Sequence, residues 1–124
     1  MLKSIKNIFS TNQKLVQCDL EFPRFQKELE ELELLELESF ERCLDKIEQM
    51  TWAQILATAS KHGKRGLNWE PIKNQKTRTG SVIATVRVTK KFRVRVTRDG
   101  EFMRFISLHP DHDSAYDEHG GETI

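Results

Sequence analysis

The sequence predicts an α+β fold, in which two or three N-terminal helices pack on a twisted, mainly antiparallel sheet of about four strands. Two observations predict this class. Apolar residues recur every three or four positions in the first half of the chain, and every second position after Gly80. Glutamate and leucine, both good helix formers, dominate the first half, whereas valine and arginine alternate in the second. With 124 residues, the chain is expected to form a single domain.

The first half is predicted to hold one strand and the helices. Residues 14–22 alternate enough to form a strand. Residues 24–50 carry one apolar stripe at helical spacing, as a single helix or as two helices with a break near residues 34–38. The run TWAQ at residues 51–54 is typical of a capping box, which begins a short helix that ends at about residue 59.

The two ends of the chain are predicted to lie outside the packed core. Residues 1–12 carry no strong pattern, and we expect them to form a flexible arm or a short helix. The C-terminal run is rich in Asp, His and Gly, and we expect residues 117–124 to be disordered.

Three strands are predicted in the second half, at residues 82–88, 92–97 and 101–108. Asp99-Gly100 is a strong hairpin signal, and a two-residue turn there would place Arg95 opposite Arg104. A three-residue turn at residues 89–91 would place Arg87 opposite Arg93. Both registers together predict four arginines on one face of three adjacent strands.

Four arginines on one face repel one another and therefore need neutralisation. Two interpretations stay open. The acidic N-terminal helices could neutralise the arginines within the fold, or the face could bind an anion. The first interpretation treats the arginines as structural, and the second treats them as functional.

A formal net charge of +1 hides two halves of opposite sign. Residues 19–48 contain eleven acidic and four basic residues, whereas residues 61–104 contain thirteen basic and three acidic residues. Such a basic half is typical of proteins that bind a polyanion, and RNA is the expected ligand. The expected nucleic-acid-binding residues are two strand arginines and four loop cations: Arg95, Arg104, Lys64, Arg65, Lys90 and Lys91.

Composition also excludes several classes of protein. No apolar run approaches the roughly 20 residues that a membrane span requires, and the N-terminus lacks the continuous apolar core of a signal peptide. We therefore expect a cytoplasmic protein with no membrane partner. Cys18 and Cys43 have neither metal-site spacing nor a CxxC motif, so two reduced thiols are expected.

The end of the last predicted strand carries His109, His112 and Tyr116. Histidine can donate or accept a proton near pH 7, so these residues are candidates for general acid–base catalysis. Strict alternation from Arg104 puts His109 on the core side of the sheet. His112 and Tyr116 are therefore the preferred pair of proton-transfer residues. The run HPDHD at residues 109–113 could instead bind a metal ion. We expect neither a metal nor another cofactor.

The chain resembles the RelE/ParE superfamily of toxins from type II toxin–antitoxin systems. The resemblance covers residues 22–116: a helical pair, GLNWEPIKN, the strands SVIATVRV and FRVRV, and a tail of the type HxxHDxxY. It depends most on Arg87, the Phe92-Arg93 pair and Tyr116. Family members often have Tyr-Arg where this chain has Phe92-Arg93.

The resemblance implies a RelE-like fold and an endoribonuclease that cleaves mRNA on the ribosome without a metal. It implies further that a cognate antitoxin neutralises the toxin. By the same resemblance, Arg93 contacts the scissile phosphate, Arg87 joins the catalytic set, and the C-terminal group activates the 2′-OH or stabilises the leaving group. That group here is His109, His112 and Tyr116.

The run HPDHD replaces the basic cluster of other family members, so the assignment of acid and base stays open. Two other functions also stay open. One is a ParE-like inhibitor of DNA gyrase, and the other is a non-catalytic nucleic-acid-binding module.

Overall fold

The protein is represented by a computed structural model that describes residues 14–59 and 66–111. The expected arm at residues 1–12 and the expected tail at residues 117–124 lie outside these ranges. Within these two ranges, three helices and five strands follow one another: β1 (Gln17–Asp19), α1 (Pro23–Glu30), α2 (Leu34–Ile47), α3 (Trp52–Ala57), β2 (Glu70–Lys76), β3 (Val82–Arg87), β4 (Arg93–Asp99) and β5 (Phe102–His109).

The predicted helical region is two helices, α1 and α2, because Glu33 begins a new helix. The backbone N–H of Glu33 donates to Glu36 Oε1 at 3.1 Å, which caps α2 from within its first turn. The break therefore lies at residues 31–33, just before the expected position. The predicted capping box of α3 is confirmed: Thr51 and Gln54 exchange backbone-to-side-chain hydrogen bonds of 2.9 and 3.2 Å.

The five strands form one mixed sheet in the order β1-β5-β4-β3-β2. Strand β1 runs parallel to β5, and the other neighbours are antiparallel. The α+β class is confirmed, but the sheet has one strand more than the four expected. The missed strand is β2, an edge strand. Its buried residues Ile72 and Gln75 are three positions apart, and Asn74 has φ 64°, so an irregularity hides the alternation.

The helices pack on one face of the sheet and build the main core there. Three aromatic rings form its centre: Phe25 of α1, Phe40 of α2 and Phe105 of β5 lie 5.5–5.6 Å apart between ring centroids. Beside them, Trp52 and Trp69 meet edge to face at 5.4 Å. Each such pair adds about 0.5–1.5 kcal/mol beyond the burial of its surface, so this cluster fixes the helices on the sheet.

The register of the β3–β4 hairpin is as predicted, whereas that of the β4–β5 hairpin is not. Arg87 lies opposite Arg93, in the expected pairing. In the second hairpin, however, Arg104 lies opposite Thr97, because the turn is formed one residue later than expected. Arg95 instead lies opposite Ser107. The prediction that Arg95 and Arg104 repel each other across the strands is therefore wrong.

A β-bulge at Ile106 explains the rest of the difference. Val96 pairs with Phe105 and Arg95 with Ser107, so Ile106 is an extra residue in β5. Phe105 and Leu108, three positions apart, both belong to the helix-side core, which strict alternation would forbid. The bulge resolves this conflict and reverses the alternation beyond it. Consequently the prediction that His109 lies on the core side is wrong.

Within residues 14–59 and 66–111, no helix is long and apolar enough to span a membrane. The longest helix, α2, has 14 residues, against the roughly 20 that a span requires.

Both cysteines are free thiols, as predicted. Burial raises the pKa of Cys18 to about 12, and the nearby carboxylate of Glu48 adds to the effect. Burial also raises the pKa of Cys43 to about 12, although Lys46 opposes this in part. Because the thiolate is the nucleophile, neither cysteine is activated for chemistry near neutral pH.

We expect both thiols to react slowly with iodoacetamide at pH 8. A pKa raised by about three units lowers the thiolate fraction by roughly a thousandfold relative to the unfolded chain. Mass spectrometry of the alkylated protein, with and without denaturant, measures both rates. Native alkylation within tenfold of the denatured rate would contradict the raised pKa values of Cys18 and Cys43.

Candidate functional site

The helix-free face of the sheet holds a buried polar cluster, which we call the arginine cluster. It contains Gln75 of β2, Thr85 and Arg87 of β3, Arg93 and Arg95 of β4, and Ser107 and His109 of β5, together with Asn68 from the loop before β2. Arg93 and Arg95 are each only 1% exposed, and Thr85, Ser107 and His109 are also buried. The predicted arginine face therefore exists, but its centre is a closed network.

Two neutral oxygen atoms accept hydrogen bonds from Arg93. Its Nε and Nη2 atoms donate to Thr85 Oγ1 at 3.0 and 2.6 Å, and Nη2 also donates to the backbone oxygen of Asn68 at 2.8 Å. A buried guanidinium remains charged, so hydrogen bonds of this kind are needed to offset its lost hydration. These contacts fix both the position and the orientation of the Arg93 cation.

Arg95 connects the network to the last strand. Its Nη2 donates to Gln75 Oε1 at 3.0 Å, and its Nη1 donates to Ser107 Oγ at 3.3 Å. Ser107 Oγ in turn lies 2.7 Å from His109 Nε2, within hydrogen-bonding distance. His109 is the direct cross-strand neighbour of Arg93. An imidazole, a hydroxyl and two guanidinium groups thus come together on one face.

Asn68 joins Arg87 to Arg93. With its amide oxygen turned towards the guanidinium groups, Asn68 Oδ1 lies 3.3 Å from both Arg87 Nη2 and Arg93 Nη1. The residue has φ 47°, in the left-handed region that asparagine tolerates better than most residues. The backbone N–H of Arg87 also donates to Leu67 O at 2.7 Å. The sequence GLN at residues 66–68 therefore positions two of the predicted site arginines.

Arg104 is separate from the cluster, although it faces the same side of the sheet. Its Nε donates to Asp19 Oδ2 at 3.1 Å, and its Nη2 donates to Asp99 Oδ2 at 2.9 Å. Two carboxylates thus neutralise this arginine. It is a structural link between β1, β4 and β5, which makes it a poorer candidate for phosphate binding than its neighbours.

The acidic helices do not lie over the arginine cluster. Phe25 and Phe40 of these helices pack with Val94 and Phe105, which point away from the side of Arg93 and Arg95. One helical carboxylate does reach the sheet: Glu28 Oε1 accepts from the backbone N–H of Leu108 at 2.7 Å. The structure therefore does not support neutralisation of the arginines by packing of the helices onto them.

The other predicted site residues divide into two groups. Lys90 and Lys91 are exposed in the turn between β3 and β4, beside the Arg87–Arg93 pair. The second group lies outside the described residues: Lys64, Arg65, His112 and Tyr116. Among the described residues, no three of His, Cys, Asp and Glu converge on a metal site. The proposed metal-binding run HPDHD extends beyond them, at His112 and Asp113.

Sequence reasoning missed four members of the cluster: Asn68, Gln75, Thr85 and Ser107. Thr85 alternates with valines and is two residues from Arg87, so its position on the arginine face could have been found. Ser107 and Gln75 lie after irregularities in their strands, and nothing in the local alternation marks them.

The chain matches no family model, no curated protein and no solved structure. The resemblance to RelE/ParE toxins therefore rests on the sequence features quoted above.

We expect Thr85→Val to lower the free energy of unfolding by about 2–3 kcal/mol, because two N–H groups of a buried cation lose their acceptor. Thr97→Val is the matched control. It removes a neutral hydrogen bond of 2.8 Å to Val82 O, which is worth about 1 kcal/mol. Urea unfolding followed by circular dichroism measures both changes. Equal losses in the two variants would show that Arg93 does not depend on Thr85.

Proposed function

We propose that this chain is a metal-independent endoribonuclease of the RelE/ParE toxin type that cleaves mRNA. The observation that carries the proposal is the position of His109 directly opposite Arg93, with Ser107 Oγ 2.7 Å from its Nε2. A group that can transfer a proton thus stands next to a fixed cation. Both are in the set of residues that the resemblance to these toxins implies.

The chemistry needs only groups that the chain and the RNA supply. The 2′-oxygen attacks the adjacent phosphorus as a base removes its proton, and the bond from phosphorus to the 5′-oxygen breaks as an acid protonates that oxygen. The products are a 2′,3′-cyclic phosphate and a 5′-hydroxyl. Arg93 would stabilise the charge that develops on the phosphate oxygens, with Arg87 next to it. His109 would transfer one of the two protons.

The second proton-transfer group is proposed from the sequence alone. His112 and Tyr116 follow His109 closely in the chain and belong to the tail that supports the resemblance. Together the three residues would provide one acid and one base. Lys90 and Lys91 would hold the RNA backbone as it approaches the Arg87–Arg93 pair.

The proposal also includes the setting in which such an enzyme works. mRNA on the ribosome would be its substrate, and a cognate antitoxin would be its inhibitor. The cytoplasm would be the compartment in which it acts. These parts follow from the resemblance.

A second candidate is a non-catalytic module that binds a polyanion. The burial of Arg93 and Arg95, each 1% exposed, favours it. Charges fixed beneath the surface can attract a polyanion through the field that they create, without touching a phosphate. In that case the arginine cluster would be a permanent part of the fold, and the ligand would contact only exposed residues such as Lys90 and Lys91.

Cleavage of mRNA should persist in excess chelator and should leave 2′,3′-cyclic phosphate ends. The nucleophile belongs to the RNA itself, so DNA of the same sequence should remain intact. The measurement is mapping of RNA ends after incubation of the protein with mRNA, with and without ribosomes. Binding without cleavage in both reactions would favour the non-catalytic module. Intact RNA together with damaged DNA in cells would favour a gyrase inhibitor.

We expect His109→Gln to lower the cleavage rate by roughly a hundredfold or more, as is typical when a general acid or base is removed. Glutamine is polar and can still contact Ser107, so the fold should persist. Arg104→Ala is the control, because it removes a cation from the same face that Asp19 and Asp99 already neutralise. Its cleavage rate should change less than about fivefold. Single-turnover rates at saturating RNA separate chemistry from binding. A His109→Gln variant at the wild-type rate would exclude this role for His109.

A further inference from the structure

A cavity of about 200 Å³ lies between helix α2 and the loop that precedes β2. One face of α2 lines it, at the helical spacing that places side chains together: Ser39, Arg42, Cys43 and Lys46. The opposite wall consists of Gly66 and Leu67 and of residues 87–89 at the end of β3. We call this space the α2 cavity.

The acidic and basic residues of helix α2 lie on different sides of the helix relative to the cavity. The helix contains four acidic residues, Glu36, Glu38, Glu41 and Asp45, and two basic residues, Arg42 and Lys46. Both basic residues line the cavity, and none of the four acidic residues does. Arg87 also lines the cavity, where its backbone oxygen lies 3.9 Å from Cys43 Sγ, but its guanidinium lies beside Asn68 in the arginine cluster. Of the charged side chains of α2, only the two basic ones therefore line this cavity.

The polar groups of the lining can be located individually. A Cβ atom placed on Gly66 would lie 4.0 Å from Lys46 Nζ, so the ammonium group stands against the loop wall. Arg42 Nη2 donates to Ser39 Oγ at 3.2 Å. The guanidinium is thus held beside a hydroxyl on the same helical face.

Thr89 completes the opposite wall. Its Oγ1 accepts a hydrogen bond from the backbone N–H of Phe92 at 3.2 Å. A hydroxyl that accepts in this way still has its own O–H to donate. The cavity therefore combines two cationic side chains of α2 with hydroxyl groups, which are the partners that a phosphate oxygen prefers.

The α2 cavity is connected to the arginine cluster through a short loop. Leu67, which lines the cavity, accepts from the backbone N–H of Arg87 at 2.7 Å. The next residue, Asn68, bonds to Arg93. Cys43 Sγ lies 3.9 Å from Arg87 O, so α2 also touches this strand end. The loop and the end of β3 thus join the α2 cavity, on the helix side of the sheet, to the arginine cluster on the other side.

We propose that the α2 cavity binds a phosphate group of the RNA backbone. The space exceeds the roughly 30 Å³ that one water molecule occupies several times over, so a phosphate can enter with part of its hydration. The choice of RNA rests on the proposed function, whereas the preference for a phosphate follows from the lining. Arg42 and Lys46 are binding residues in this proposal and take no part in the chemistry.

The test compares the double variant Arg42→Ala/Lys46→Ala with the wild-type protein. The probe is a fluorescent single-stranded RNA of ten nucleotides with a non-cleavable 2′-O-methyl backbone. Fluorescence anisotropy at several salt concentrations gives the affinity and its salt dependence. We expect the Kd at low salt to rise roughly tenfold and the slope of log K against log salt to fall by about 0.7, since each neutralised phosphate of a single strand contributes about 0.7.

Two controls separate this effect from a change in net charge or in folding. Lys14→Ala/Lys27→Ala removes the same number of charges from exposed positions outside the cavity, and it should change the Kd less than threefold. Arg42→Lys/Lys46→Arg keeps the charges and should restore most of the affinity. The melting temperature of each variant shows whether it remains folded.

The outcomes distinguish this proposal from the proposed cleavage activity. Wild-type RNA affinity in the Arg42→Ala/Lys46→Ala variant would overturn the cavity proposal and leave cleavage untouched. Weak RNA binding in that variant, with wild-type protein that binds RNA without cleaving it, would support the cavity and reject the nuclease. Inorganic phosphate that competes at the same concentration as the RNA's phosphates would show that the site takes the free ion, which would overturn the assignment to a polymer.

Discussion

The burial of two permanently charged guanidinium groups inside a β-sheet is the constraint on which the rest of this structure depends. Arg93 and Arg95 are out of contact with water, and a cation in that position is tolerated only when oxygen atoms replace its hydration. The oxygens come from Thr85, Ser107 and Gln75 on three other strands and from the backbone of Asn68. The hydrogen-bonding needs of two side chains thus fix the polar residues of four strands and one loop.

The same constraint divides the sheet into two faces with different tasks. The helix side supplies hydrophobic burial through residues such as Phe40 and Phe105, and with it most of the stability. The other side holds the arginine cluster, together with a small apolar cluster of Ile72, Ile83 and Ile106. Each buried guanidinium there costs free energy that its hydrogen bonds must offset. In the function proposed above, this face serves a polyanion.

The sequence predicts the fold well where a local pattern alone decides the structure. The α+β class, the α3 capping box and the β3–β4 register all follow from local patterns. It fails where two requirements compete. Phe105 and Leu108 both serve the core, and the bulge at Ile106 satisfies both, so strict alternation assigns His109 to the wrong face. The same difficulty hides Ser107 and β2. The partners of a buried arginine come from several strands, and only the assembled sheet brings them together.

The parallel pairing of β1 with β5 has a consequence for how the chain folds. Gln17 is the partner of Phe102, and Asp19 bonds to Arg104 across 85 positions of sequence. During synthesis, β1 therefore cannot pair until its neighbour β5 has emerged from the ribosome. Contacts between such distant residues form slowly, because a long loop must close first. The arginine cluster also needs β5, so a nascent chain has helices early and its complete polar face only at the end.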